Sequence, residues 1–188
     1  MLNLPNFLTL IRIAAIPLFL VLLYSGFYTS ALLVFIVGAI TDALDGPVAR
    51  LTNQSTPLGA YLDPIADKLL IMSSVIVLGI IGAVPAWLTI LIVSRDLIIM
   101  LGYGAIYYLA QEWMEARPSR MGKLNTLFQL CTITAVLVFL HDSHIVAQQL
   151  LYYLFLLTAV TTVVSGFQYV YRGLIWLQNR ASSLPRIS

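Results

Sequence analysis

Four aspartates stand close together in an otherwise apolar chain: Asp42 and Asp45 in the run D-A-L-D-G-P-V-A-R, then Asp63 and Asp67 in G-A-Y-L-D-P-I-A-D. An ionised Asp near the middle of a membrane-spanning helix costs roughly 2.5–3.5 kcal/mol, so four without compensation approach ~10 kcal/mol. Something must offset that charge. Residues three or four apart share a helix face, which aligns Asp42 with Asp45 and places Gly59, Asp63 and Asp67 on a second stripe. If the chain turns between Leu51 and Leu58, two antiparallel helices set both acidic stripes across one gap. Four carboxylates in that gap would repel one another, whereas one or two divalent cations would neutralise them and use their oxygens as ligands. No Cys or His lies between Asp42 and Asp67, so hard Mg2+ or Mn2+ is expected rather than zinc. A cation-transport pathway is the rival reading of such a cluster.

The elements that must carry these residues follow from composition. The 188 residues are 60% hydrophobic and 10% charged, with a mean hydropathy of +0.93, far from the roughly 25% charge of an ordinary soluble domain. The chain is expected to be an all-α integral membrane protein forming a single domain over residues 1–188. A spanning helix needs about 20 apolar residues. Six segments qualify: about Leu8–Tyr24, Ala31–Arg50, Gly59–Gly82, Trp87–Leu109, Leu124–Leu140 and Val146–Tyr171. Asn3–Phe7, with Pro5, reads as a short interfacial lead-in. Arg12 interrupts the first apolar run and no small-residue cleavage pattern follows it, which argues against a signal peptide.

Basic residues set the expected orientation, because cytoplasmic loops are enriched in Lys and Arg. Tyr24–Ser30, Gly82–Ala86 and His141–His144 contain none. Arg50, Lys68, Arg117, Arg120, Lys123, Arg172, Arg180 and Arg186 all fall toward the other side. Both termini and the acidic pocket should therefore face the cytoplasm, as in a multi-pass protein of a bacterial inner membrane. Cys131 is the single cysteine, so an intramolecular disulfide is excluded. His141 and His144 imitate a metal pair at i, i+3 but belong to the outward loop, away from the acids. Arg117 and Arg120 read as headgroup contacts.

The spacing D-x2-D-G-x2-A-R-x8-G-x3-D-x3-D resembles the signature of the CDP-alcohol phosphatidyltransferase family at every fixed position: Asp42, Asp45, Gly46, Ala49, Arg50, Gly59, Asp63 and Asp67. The opening run N-L-P-N-F-L-T-L-I-R and the six-span plan are similar to the family as well. The resemblance implies transfer of a phosphatidyl or related group from a CDP-linked donor to an acceptor hydroxyl, with release of CMP, divalent-metal assistance and a homodimer. It implies Asp42, Asp45 and Asp63 as the main ligands of two ions, with Asp67 as a further ligand and the base that takes the acceptor proton. Two bound metals would bridge donor oxygens, Gly46, Ala49 and Gly59 would let the nucleotide approach the backbone, and Arg50 would hold donor phosphates. Pro47 occupies a variable position of the motif and has no functional account.

The acceptor is read from the later helices. Arg95 and Asp96, in I-V-S-R-D, are either a structural ion pair or, through Arg95, an acceptor-phosphate contact; Lys123, in M-G-K-L-N-T, has the same two readings. S-R-D and the Asn125 of K-L-N-T resemble the cardiolipin-synthase branch, whereas glycerophosphate synthases more often carry A-R-E and a Lys at the latter position. The donor is then CDP-diacylglycerol and the expected acceptor phosphatidylglycerol, with glycerol 3-phosphate as the alternative. The remaining expected partners are membrane lipids, with no nucleic acid. A catalytically silent membrane scaffold is the third class.

Overall fold

A computed structural model of the chain describes residues 4–52, 57–110 and 119–183; the side chains of 4–9, 42–52, 57–65, 103, 107, 109, 110 and 179–183 are outside that description. The described residues form six helices: α1 Leu4–Tyr24, α2 Tyr28–Thr52, α3 Pro57–Ile80, α4 Ala86–Ala110, α5 Arg120–His141 and α6 Gln148–Ser183. No strand occurs among them. Helix is the form in which each backbone N–H and C=O is satisfied within its own segment, which a hydrocarbon solvent demands.

Two of the turns are written in glycine. Gly26 and Gly82 have φ of 81° and 76°, the left-handed region that costs a glycine least. After α1, the Phe27 N–H donates to the Leu22 carbonyl at 2.9 Å and the Gly26 N–H to Leu23 at 3.3 Å; after α3, Ala83 and Gly82 repeat the pattern onto Leu78 and Gly79 at 2.9 and 3.2 Å. Each is a Schellman cap that satisfies the last carbonyls of its helix and turns the chain sharply. The N-terminus of α5 is capped differently: the Gly122 N–H donates to the Ser119 hydroxyl at 2.9 Å, the N-cap bond expected of Ser before a helix.

Among the described residues, three helices are long and apolar enough to cross a membrane: Ala86–Ile106, Arg120–His141 and Gln148–Gln178. Leu10–Tyr24 and Tyr28–Thr41 are shorter apolar stretches of α1 and α2. The expected interfacial lead-in is not a separate element, because α1 starts at Leu4 and takes it up; Pro5 falls in the first turn, where its missing N–H costs nothing. The last helix is longer than its apolar run suggests. It continues twelve residues past Tyr171 to Ser183, since polar residues end a span without ending a helix and no Pro intervenes before Pro185.

The chain divides into two compact units, Met1–Ala86 with Ile133–Leu151, and Trp87–Thr132 with Tyr152–Ser188. In the first, α1 packs on both α2 and α3. Its buried stripe is Ile16, Phe19 and Leu23, against Ile71, Val75 and Leu78 of α3 and Ala31 and Phe35 of α2. Phe19 and Phe35 meet at a ring separation of 5.6 Å. In the second unit the interior is unusually polar for a membrane protein: Arg95, Asp96, Asn125, Gln129, Thr132, Thr158, Thr162 and Ser165 are all buried.

Candidate active site

The motif aspartates are carried where their spacing requires. Asp42 and Asp45 lie on α2, one helical turn apart, and Asp63 and Asp67 on α3. The side chains of Asp42, Asp45, Gly46, Ala49, Arg50, Gly59 and Asp63 are outside the described residues, and the expected convergence of the two acidic stripes falls there with them. Among the described residues no three His, Cys, Asp or Glu side chains gather into a metal site.

Asp67 is described, and its surroundings supply a residue that the sequence reading had assigned no chemistry. The Arg12 Nη1 of α1 lies 3.4 Å from the Asp67 Oδ1, with side-chain exposures of 3% for Arg12 and 42% for Asp67. Arg12 belongs to the buried stripe of α1, four residues before Ile16 and a further three before Phe19; Asp67 stands in the same relation to Ile71 and Ser74 on α3. The two charges therefore extend two packed apolar stripes by one turn each, and they meet because those stripes meet. The periodicity i, i+4, i+7 was visible in the sequence; a lone Arg in an apolar run had been read only as an interruption.

The candidate ligands that the motif places on α2 and α3 are carboxylates with no Cys or His among them, a donor chemistry that suits a hard divalent cation. Magnesium or manganese, when bound, would neutralise pyrophosphate charge and ease its cleavage.

In the second unit the structure binds Arg95 tightly to its neighbours. Its Nη1 donates to Asp96 Oδ1 at 2.6 Å, its Nη2 donates to the Ser165 hydroxyl, and its Cζ lies 5.3 Å from the centre of the Tyr169 ring. Tyr169 in turn reaches over Gly122: a Cβ there would stand 2.9 Å from the Tyr169 Oη. The ion-pair reading of Arg95 and Asp96 thus holds structurally. Lys123 is exposed on the first turn of α5, beside the Ser119 cap. Asn125 is fully buried and accepts from Thr161 and Thr162 at 3.2 and 2.8 Å, which ties α5 to α6. Thr132 and Thr158 share a hydrogen bond of 2.7 Å two turns further on.

His141 closes α5 and its Nδ1 lies 2.8 Å from the Thr29 hydroxyl, a polar clasp at the start of α2. A groove of about 310 Å3 runs along α4 and α6, lined by Ile98, Gly102, Ile106, Val170 and Gly173 with Tyr169. Its described lining contains no carboxylate.

Comparison with known proteins gives one consistent result. Residues 2–164 match the family model described as CDP-alcohol phosphatidyltransferase. The chain is 32% identical over 184 residues to a CDP-diacylglycerol–glycerol-3-phosphate 3-phosphatidyltransferase of Bacillus subtilis, covering 90% of this chain and 94% of that one. It is 38% identical over 180 residues to a probable phosphatidylglycerophosphate synthase of Mycobacterium tuberculosis, with 92% and 82% covered. It is also 31% identical over 192 residues to the human cardiolipin synthase (CMP-forming), with 91% and 62% covered.

Proposed function

We propose that this chain, which belongs to the CDP-alcohol phosphatidyltransferase family, transfers the phosphatidyl group of CDP-diacylglycerol to a hydroxyl of phosphatidylglycerol, forming cardiolipin and CMP. The acceptor oxygen bonds to the phosphorus that carries the diacylglycerol; the pyrophosphate P–O bond breaks and CMP leaves with its electron pair. Asp67, whose side chain is 42% exposed, would take the hydroxyl proton. Asp42, Asp45 and Asp63, with Asp67, would hold two Mg2+ or Mn2+ ions, Arg50 would hold donor phosphates, and Gly46, Ala49 and Gly59 would leave room for the nucleotide. Residues 1–188 act as one six-span membrane domain, working as a homodimer with this face toward the cytoplasm of a bacterial inner membrane.

One observation carries the acceptor: Asn125. At the position where glycerophosphate synthases more often carry Lys, this chain has a neutral amide, fully buried, whose Oδ1 accepts from Thr161 and Thr162. A dianionic headgroup needs several convergent cations, and here Lys123 and the already oriented Arg95 are the two on offer. Phosphatidylglycerol brings a single phosphodiester charge and acyl chains that lipid-facing helices accept. Glycerol 3-phosphate is the second reading, favoured by the names of the Bacillus and Mycobacterium relatives. Purified protein given CDP-diacylglycerol, Mg2+ and each acceptor in turn tests the choice by lipid product. Cardiolipin from phosphatidylglycerol supports the first reading; a phosphorylated glycerol lipid alone, made from glycerol 3-phosphate, supports the second and overturns the first.

A further inference from the structure

We infer that Ser165 of α6 is the positioning residue of the acceptor site: its hydroxyl fixes the Arg95 guanidinium from a second helix, so that the Arg95 Nε–H is presented to a phosphodiester oxygen of the acceptor lipid. The inference deepens the proposed function and rests on it for the identity of the acceptor.

The first observation is how the guanidinium is held. Its Nη1 donates to Asp96 Oδ1 at 2.6 Å, its Nη2 donates to Ser165 Oγ, and its Cζ lies over the Tyr169 ring, 5.3 Å from the centre. Asp96 is the next residue on α4 and moves with the helix that carries Arg95. Ser165 belongs to α6, so its bond ties the planar fork to a different element. Ser165 is fully buried, and in such surroundings a charge-assisted bond is strong and directional.

The second observation is how α6 is built to receive this arginine. Thr158, Thr162 and Ser165 fall at i, i+4 and i+7 on one buried stripe. The two threonines meet α5, Thr158 at Thr132 and Thr162 at Asn125. Ser165 instead meets α4. Beside it, Gly166 leaves room for the arginine stem, since a Cβ there would stand 3.3 Å from the Arg95 Cγ. Head and stem of Arg95 are received by two consecutive residues of α6.

The third observation is what the guanidinium leaves unspent. It has five N–H donors in a fixed fork. The Arg95 Nε is buried and has no hydrogen-bond partner among the described residues, although buried polar groups are almost always satisfied. An ion pair that serves packing alone gains nothing from an orphaned donor, whereas a cation that receives a ligand oxygen keeps one in reserve. Arg95 also lines a groove of about 250 Å3 along α4 and α6, with Leu91, Ile98, Val163 and Phe167 among its other walls. Ile98 and Phe167 are exposed on helices apolar enough to span a membrane. A ligand that meets Arg95 from this groove therefore joins an acceptor oxygen to an apolar body, which is the make-up of a phospholipid and not of glycerol 3-phosphate.

The test compares purified full-length wild type, Ser165→Ala and Ser165→Thr in detergent, measuring CMP release across phosphatidylglycerol and donor concentration with thermal unfolding alongside. Ser165→Ala is expected to raise the KM for phosphatidylglycerol about fivefold or more, with kcat and donor KM within about twofold of wild type. Ser165→Thr restores the hydroxyl and should return the acceptor KM to within about twofold. An acceptor KM in Ser165→Ala within about twofold of wild type, a donor KM that rises in step, or a Ser165→Thr variant as stable as wild type and no better than Ser165→Ala, overturns the inference. If Ser165→Ala does not fold, Ser165→Cys, similar in size with a weak sulfur acceptor, takes its place under the same criteria. A second readout needs no turnover: the 15N-labelled Nε–H resonance of Arg95, identified by its loss in Arg95→Lys, is followed as dihexanoyl phosphatidylglycerol is added. It should shift in wild type and need about fivefold more lipid to shift in Ser165→Ala; a wild-type resonance that the lipid leaves unmoved overturns the inference. Glycerol 3-phosphate as the only productive acceptor, or no CMP release at all, refutes the proposed reaction instead, and the resonance then decides the role of Ser165 by itself.

Discussion

Replacing Arg95 by Met should cost stability first and acceptor use second, and the two can be separated. The substitution removes the 2.6 Å pair with Asp96, the bond to Ser165 and the ring contact with Tyr169 at 5.3 Å. Met fills much of the same space, so the cavity term is small. What remains is Asp96, whose side chain is 3% exposed, without the Arg95 end of the pair; breaking a buried pair from one side costs about 3–5 kcal/mol. The lost cation–π contact adds about 0.5–1 kcal/mol. For a chain of this size a loss of about 4 kcal/mol lowers the thermal midpoint by roughly 10 °C. The double variant Arg95→Met/Asp96→Leu removes both charges and should recover to within about 1 kcal/mol of wild type. Thermal unfolding in detergent, followed by tryptophan fluorescence, reads both. If Arg95 contacts the acceptor phosphate as proposed, activity with phosphatidylglycerol should stay impaired in the restored double variant, because that cation is still absent. A single variant as stable as wild type, or a double variant no better than the single, refutes the reasoning.

Gly122→Ala places a methyl 2.9 Å from the Tyr169 hydroxyl; overpacking of this kind costs about 1–3 kcal/mol, and thermal unfolding should show it, with Tyr169→Phe in the same chain relieving part of the loss. Lys123→Ala, at an exposed position, should leave the thermal midpoint unchanged and raise KM for the acceptor, measured by product formation across acceptor concentration. With Cys131 replaced by Ser, Arg120→Cys should react with an impermeant thiol reagent only when the inner face is accessible and Ser143→Cys from outside; the reverse labelling would overturn the cytoplasmic site.

The placement of the acidic motif on two successive helices was legible because it depends on spacing, and spacing is a property of sequence. The helices α2 and α3 bear Asp42, Asp45, Asp63 and Asp67 as that spacing requires. The turns at Gly26 and Gly82 take the backbone that side chains avoid. The pairing of Arg12 was not legible, because it depends on Asp67, 55 residues away, and on which faces of α1 and α3 pack. The same holds for Arg95: its neighbour Asp96 was in plain view, but Ser165 and Tyr169 come from α6, and only the packed structure shows that they hold it. The end of α6 was missed for a different reason. The apolar run was read as ending at Tyr171, whereas the candidate span runs to Gln178 and the helix to Ser183.

The central claim is that the four aspartates act as one metal-bound site that releases CMP from CDP-diacylglycerol, and the most direct measurement is metal-dependent CMP release by wild type and by Asp42→Asn, Asp45→Asn, Asp63→Asn and Asp67→Asn. Wild type should release CMP in step with lipid product, stop on chelation and resume with Mg2+ or Mn2+. Asn at Asp42, Asp45 or Asp63 should weaken the metal dependence together with the rate, while Asp67→Asn should lose turnover with donor binding partly retained. CMP release that survives chelation, or near-wild-type activity in Asp42→Asn or Asp67→Asn, would contradict the account.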